Sequence, residues 1–203
     1  MKIVCVGRNY LEHIKELNNN IPKSPLLFIK PSSALARKDK PIPYPTFTDN
    51  LEYECEVVIQ ICKNGKNIEE SNARSFYNKW TLGIDFTARD IQSQLKKMGH
   101  PWEMAKGFDN AAVIGDLLDI NADTNLQNAS FQLLLNDEKV QDGNTKDMIF
   151  SIDYLVSYIS HYFTLQIGDL IFTGTPAGVG SILPYDELKG FLNKKKVLNI
   201  SMK

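Results

Sequence analysis

The chain carries little of what would tie it to a nucleic acid, a membrane or an oxidising compartment. Its 23 Lys and Arg stand against 24 Asp and Glu, for a formal net charge of -1, and the basic residues are spread along the sequence. A phosphate backbone or an anionic bilayer therefore meets no electrostatic footprint, and neither is expected as a partner. The basic runs Lys96-Lys97 and Lys194-Lys195-Lys196 are short and read as solvated faces. No apolar stretch approaches the roughly 18 residues that a transmembrane helix needs. The opening segment Met1–Gly7 is too short for a signal-peptide core, so a cytoplasmic location is expected. Cysteine is scarce: Cys5, Cys55 and Cys62 form neither a disulfide framework nor a C-x-x-C pair, and each reads as a small buried hydrophobe in a reducing compartment.

Internal repeats, low-complexity tracts and long linkers are also missing. The segment Pro41–Pro45 reads as an ordered loop, too short to divide two domains. With 203 residues and 43% hydrophobic content, the chain can bury one good core, and a single domain over residues 1–203 is expected.

Runs rich in β-branched and aromatic residues predict strands at 2–6, 26–29, 54–61, 80–86, 131–135, 170–172 and 197–202. A helix is expected over Asn9–Leu17, capped by Asn9, with Tyr10, Ile14 and Leu17 as its apolar stripe. A capping box at Thr87 and Asp90 starts a second helix, with Ile91, Leu95 and Met98 on one face. A third starts at Ser151 and carries Leu155, Ile159 and Tyr162. Many strands mixed irregularly with few helices argue for an α+β fold.

The chemistry is concentrated in acids. Glu54 and Glu56 flank Cys55 on an apolar run, and Asp85 closes a second run, Leu82-Gly83-Ile84. Residues two apart on a strand face the same side, so Glu54 and Glu56 can aim at one ion. Oxygen ligation by three carboxylates suits Mg²⁺, Mn²⁺ or Ca²⁺ and leaves positions where a 2-oxo acid could chelate. Glu52 shares the same parity, so spacing alone does not say which pair binds. Asp85 adds weight, because a carboxylate buried in an apolar run needs a partner such as a cation.

His13 and Glu16 lie three apart on the first helix, the spacing of a base and its orienting carboxylate. Lys106 sits in the aromatic setting Trp102…Phe108, where an ammonium could stabilise a developing enolate. The glycines of Thr173-Gly174-Thr175-Pro176-Ala177-Gly178-Val179-Gly180 permit close approach of backbone to an anion, although the segment is not a P-loop. His100 and His161 have no partner at ligand spacing and read as structural or exposed.

Taken together, Gly7-Arg8-Asn9-Tyr10…His13, Phe28-Ile29-Lys30-Pro31, Tyr53-Glu54-Cys55-Glu56, Asp85-Phe86-Thr87-Ala88-Arg89-Asp90, Lys106-Gly107-Phe108-Asp109 and Thr173-Gly174-Thr175-Pro176 resemble the fumarylacetoacetate hydrolase family, in its order and over nearly the whole chain. The likeness is to its short acylpyruvase and oxaloacetate decarboxylase branch. The resemblance implies a mixed β-sheet roll with flanking helices, assembled as a homodimer. It also implies Mg²⁺ or Mn²⁺ on Glu54, Glu56 and Asp85, with Glu52 a bystander. By the same resemblance His13 and Glu16 form a dyad on a mobile lid, Lys106 is the active-site lysine, and Gln92 helps hold the closed lid. Arg89 and Thr175 line the site, with Thr175 near the substrate carboxylate.

The activity this implies is cleavage of acylpyruvates, 2,4-dioxo acids, to pyruvate and a carboxylic acid. Alternatives are decarboxylation or keto–enol tautomerisation of oxaloacetate, isomerisation of a 2-hydroxyhepta-2,4-diene-1,7-dioate-type diacid, and, in another class, a non-catalytic binding module whose fold a metal supports.

Overall fold

A computed structural model describes residues 1–37 and 39–203 of the chain. Its largest sheet contains β1 (Ile3–Gly7), β2 (Leu26–Lys30), β4 (Cys55–Ile61), β5 (Tyr77–Asp85), β7 (Ala112–Ile114), β8 (Leu118–Asp119) and β11 (Leu170–Phe172). The order is β2-β1-β11-β4-β5-β7, with β8 pairing the far end of β5. Only the β1–β11 pair is parallel among these. Strands β1 and β4 are buried along nearly their whole length; β1 reads as a continuous apolar run, and β4 does so apart from Glu56 and Gln60.

A second, antiparallel sheet runs β10-β9-β13-β14, formed by β9 (Ser130–Leu135), β10 (Glu138–Asn144), β13 (Glu187–Leu192) and β14 (Lys195–Ser201). A small third sheet joins β3 (Leu51–Tyr53), β6 (Thr87–Ala88) and β12 (Gly180–Ser181) in the order β12-β3-β6. Side chains of the first two sheets share one large core that includes Leu82, Phe131, Leu133, Leu188 and Leu198. The α+β expectation holds. The helices are α1 (Leu11–Glu16), α2 (Glu70–Ala73), α3 (Arg89–Met98), α4 (Glu103–Lys106) and α5 (Ile152–Tyr162). No helix among the described residues is long and apolar enough to cross a membrane.

Local chemistry explains the helix ends, and two expected caps need correcting. Ser151 caps α5 through Tyr154 N–H at 3.2 Å, as its sequence position suggests. Asn9 does not cap α1: its amide instead donates to the carbonyls of Phe150 and Thr173 and accepts from Phe150 N–H. Those bonds fasten the end of β1 to two distant loops, a stronger claim on the side chain than one exposed helix end. The capping box at Thr87 is also absent, since Ala88 occupies the N-cap and Asp90 is drawn to Thr48 and the Asp49 N–H. At its other end α3 stops at Gly99 in the left-handed region (φ 67), where His100 N–H bonds back to Leu95. On the expected stripes Leu95, Leu155 and Ile159 are buried, while Met98 and Tyr162 are exposed. Cys5 and Cys55 are buried as expected, and Cys62 is only partly so.

Candidate active site

Three strand ends converge to build the acidic centre. Glu54 falls in the break between β3 and β4, rather than within a strand, and its carbonyl accepts Asp85 N–H at 2.8 Å. Glu56 pairs Gly83 across the β4–β5 ladder, two residues from Asp85. Carboxylate oxygens of Glu54, Glu56 and Asp85 therefore lie within 4.8 Å of one another, and all three residues are buried. Cys55 between them packs into the apolar core. Glu52 stays outside this group, holding the Arg89 Nε at 2.6 Å.

Three cations surround the acids. Lys106, itself buried, donates to Glu54 Oε2 at 2.7 Å and to Asp85 Oδ2 at 2.9 Å. Arg89 bridges Glu52 and Glu54, and gives a further bond to Gln92 Oε1 at 2.7 Å. Lys30 is wholly buried, with Nζ 2.7 Å from Asp85 Oδ1. That contact is an ion pair without a hydrogen bond, because the ammonium directs its donors at the carbonyls of Phe86, Lys106 and Ala111. Asp85 Oδ1 is thus a buried carboxylate oxygen that accepts no hydrogen bond.

The charges fall unevenly over the three acids. Burial pushes Glu54 up, but Lys106 and Arg89 outweigh it and hold its carboxyl well below the usual range. Glu56 goes the other way: burial, then the neighbouring Asp85 and Glu54, push it well up against the 2.7 Å hydrogen bond from Gly174 N–H. Lys106 is driven down by burial, yet Asp85 and Glu54 more than compensate and keep it charged.

This donor set fits a hard divalent cation. It offers oxygen only, one of its oxygens lacks a hydrogen bond, and its most crowded carboxylate needs either a proton or a positive charge beside it.

The dyad closes the other side. His13, buried on α1, has Nδ1 3.0 Å from Glu16 Oε2, and Glu16 Oε1 accepts Gly178 N–H at 2.9 Å. A tight cavity of about 30 Å³ lies among these groups, lined by the three acids together with His13, Arg8 and Lys96. Arg89, Gln92, Lys106 and Thr175 also face it, so every site residue expected from the sequence except Glu16 borders one space, and Glu16 reaches it through His13.

The model for the fumarylacetoacetate hydrolase C-terminal domain matches residues 2–203. The chain belongs to the fumarylacetoacetate hydrolase family. It is 40% identical over 187 residues to the mitochondrial oxaloacetate tautomerase of Bos taurus, covering 92% of this chain and 85% of that protein. To the oxaloacetate tautomerase of Escherichia coli (strain K12) it is 39% identical over 188 residues, covering 92% and 86%. A fumarylpyruvate hydrolase from Pseudomonas aeruginosa, solved in complex with Mn²⁺ and pyruvate, superposes with a TM-score of 0.93 at 33% identity, covering all of this chain and 89% of that one. These relatives in the fumarylacetoacetate hydrolase family are enzymes, and the hydrolase carries its metal within the same fold.

Two expected members of the site also bond to other parts of the chain. The Thr175 hydroxyl donates to Cys55 O at 2.8 Å and accepts from Gln141 Nε2 at 2.9 Å, so its hydrogen is already committed. Gln92 touches Arg89, and one contact that ties down α1 runs from Glu16 to Gly178. Sequence reasoning gave no site role to Lys30, Gln141, Arg8 or Lys96. Lys30 belongs to a motif quoted for the family likeness, but only its burial shows what it holds; Gln141, on a polar strand, gave no signal at all. His100 and His161 are exposed, in keeping with their lack of partners.

Proposed function

We propose that this chain is a divalent-metal-dependent tautomerase that interconverts the keto and enol forms of oxaloacetate. The observation that carries the reading is the placement of a carboxylate-oriented histidine, His13 with Glu16, on the same small pocket as the Glu54, Glu56 and Asp85 oxygens and Lys106. The 39–41% identity to proteins named oxaloacetate tautomerases supports the choice of substrate.

Glu54, Glu56 and Asp85 would hold Mg²⁺ or Mn²⁺. When bound, such an ion supplies Lewis acidity that polarises a 2-oxo group and makes the neighbouring C–H bond more acidic. Glu16 fixes the imidazole through Nδ1, which leaves His13 Nε2 as the proton acceptor. His13 removes a proton from C3 of the keto acid; the C–H electron pair becomes the C2–C3 double bond, the C2–O π pair moves onto the 2-oxygen, and that oxygen takes the proton to give the enol. The Lys106 ammonium contributes positive charge where the oxygen becomes negative. His13 is itself buried, which shields the proton acceptor from bulk water.

A second reading is cleavage of acylpyruvates, favoured by the fumarylpyruvate hydrolase that matches at a TM-score of 0.93. His13 would then take its proton from a water that attacks the 4-carbonyl. The two readings separate in one experiment. Decay of the oxaloacetate enol absorbance is followed with Mg²⁺, with EDTA, and in Asp85→Ala and His13→Ala, against protein-free controls; pyruvate release from acetylpyruvate is measured in parallel. Enol–keto exchange lost in EDTA and in both variants, with acetylpyruvate spared, supports the tautomerase. Acetylpyruvate cleavage with the same sensitivities moves the assignment to the hydrolase, and turnover of neither substrate removes both.

A further inference from the structure

The acids of the site have their cations, yet two more cations line the same pocket without an acid. Lys106 and Arg89 are spent on Glu54, Asp85 and Glu52, whereas Arg8 and Lys96 make no ion pair with any described residue. Lys96 rests 5.2 Å over the Trp102 ring. Burial makes its charge costly, and the neighbouring Arg89 and Arg8 add repulsion. Two like charges held near one another in a half-closed wall are unfavourable unless an anion comes between them.

The local backbone points the same way. Arg8 adopts φ 61, the left-handed region that a side-chain-bearing residue rarely takes, at the exit of β1. On α3, Arg89, Gln92 and Lys96 follow the i, i+3, i+7 spacing of one helix face, and all three border the pocket. Arg89 serves the acids. Lys96 lies seven residues on, roughly 10 Å further along the helix axis, and makes no ion pair with those carboxylates.

We propose that Arg8 and Lys96 form a subsite for the second carboxylate of a short 2-oxo diacid, whose 2-oxo acid end is taken by the Glu54, Glu56 and Asp85 centre. The subsite selects a dianionic C4 substrate over 2-oxo acids whose far end is neutral. It rests on the tautomerase reading for the direction in which the substrate lies. Its ligand chemistry is that of a carboxylate met by a guanidinium and an ammonium.

The test uses two inert probes that differ only in the distal group, L-malate and L-lactate, titrated calorimetrically into Mn²⁺-loaded protein. Arg8→Gln and Lys96→Gln should each weaken malate about tenfold and leave lactate within about twofold, with Arg8→Lys and Lys96→Arg restoring malate by restoring charge. Equal weakening of both probes, or no weakening of malate, overturns the subsite. Because this readout needs no turnover, malate discrimination that depends on Arg8 and Lys96 in a protein unable to tautomerise oxaloacetate would retire the tautomerase reading and leave the subsite standing.

Discussion

Glu16 accepts the main-chain N–H of Gly178 at 2.9 Å, a contact that spans 162 positions of the chain. The same carboxylate meets His13 Nδ1 through its other oxygen, so the orientation of His13 and one tie between α1 and the Gly178 loop share a single side chain. Gly178 has little freedom to change: its φ is 97, and a Cβ there would stand 2.2 Å from the Val140 carbonyl oxygen. Gly178→Ala should destabilise the loop by about 1–3 kcal/mol and lower kcat/KM about tenfold as the latch moves away. Hydrogen exchange across Leu11–Glu16 should quicken in step. Activity lost with exchange unchanged would show that Gly178 acts on the pocket wall rather than on α1.

Lys106 stands where a divalent ion's positive charge is needed, bonded to both Glu54 and Asp85. An ion entering the proposed site would share those oxygens with the ammonium, so the lysine would compete with the metal while serving the proposed reaction. Lys106→Met is expected to tighten Mn²⁺ about tenfold, read by the paramagnetic resonance signal of free Mn²⁺, while kcat falls at least about a hundredfold. Weaker Mn²⁺ binding would mean that the lysine organises the acids instead.

Lys30 is the structural counterpart of Lys106. Its ammonium satisfies three main-chain carbonyls around the site and faces Asp85 Oδ1, with no solvent contact. Lys30→Met leaves Asp85 Oδ1 facing an apolar side chain and the carbonyls of Phe86 and Lys106 without their donor, while Ala111 O keeps the Phe86 N–H, and chemical denaturation should show a loss of about 3–5 kcal/mol. Combining it with Asp85→Asn, which removes the charge that faced Lys30, should recover part of that loss. Strictly additive effects would show that the two groups do not interact.

The contrast between Lys106 and Lys30 shows where sequence reading stops. Asp85 stands out because an acid closes an apolar run, but strand parity alone leaves Glu52 beside Glu54 and Glu56, Glu54 in fact lies in the break between β3 and β4, and the family resemblance makes the choice; His13 and Glu16 are legible because helical spacing is local. Lys30 closes a strand-like run and looks like its wet end, and the groups that bury it lie 56, 76 and 81 positions away. The α+β class and most of the main-sheet strands follow from β-branched runs. Strand β10 escapes because Glu138–Asn144 is polar, its stability coming from an edge pairing with β9 and not from an apolar face. Asn9 and Thr87 mislead because capping residues are chosen by whatever polar groups surround them once folded. Gln141 is invisible for the same reason, although it fixes Cys55 N–H and Thr175 together.

The Arg8 and Lys96 subsite carries a pH signature of its own. Burial, then Arg89 and Arg8, push the Lys96 ammonium down to about 8, with only Glu54 among its neighbours opposing that and Lys106 adding to it. Since its pKa is lowered, Lys96 is charged below about pH 8 and loses its charge as the pH rises through that value, well before an ordinary lysine would. The kcat/KM for a dianionic substrate reports the free enzyme, so it should fall as the pH passes about 8 in the wild type. Lys96→Arg, whose guanidinium stays protonated throughout, should keep its kcat/KM flat across that interval. A 2-oxo monoacid should show no such fall with either protein. An alkaline fall of equal size for both substrate classes would place the titrating group elsewhere and detach Lys96 from the distal carboxylate.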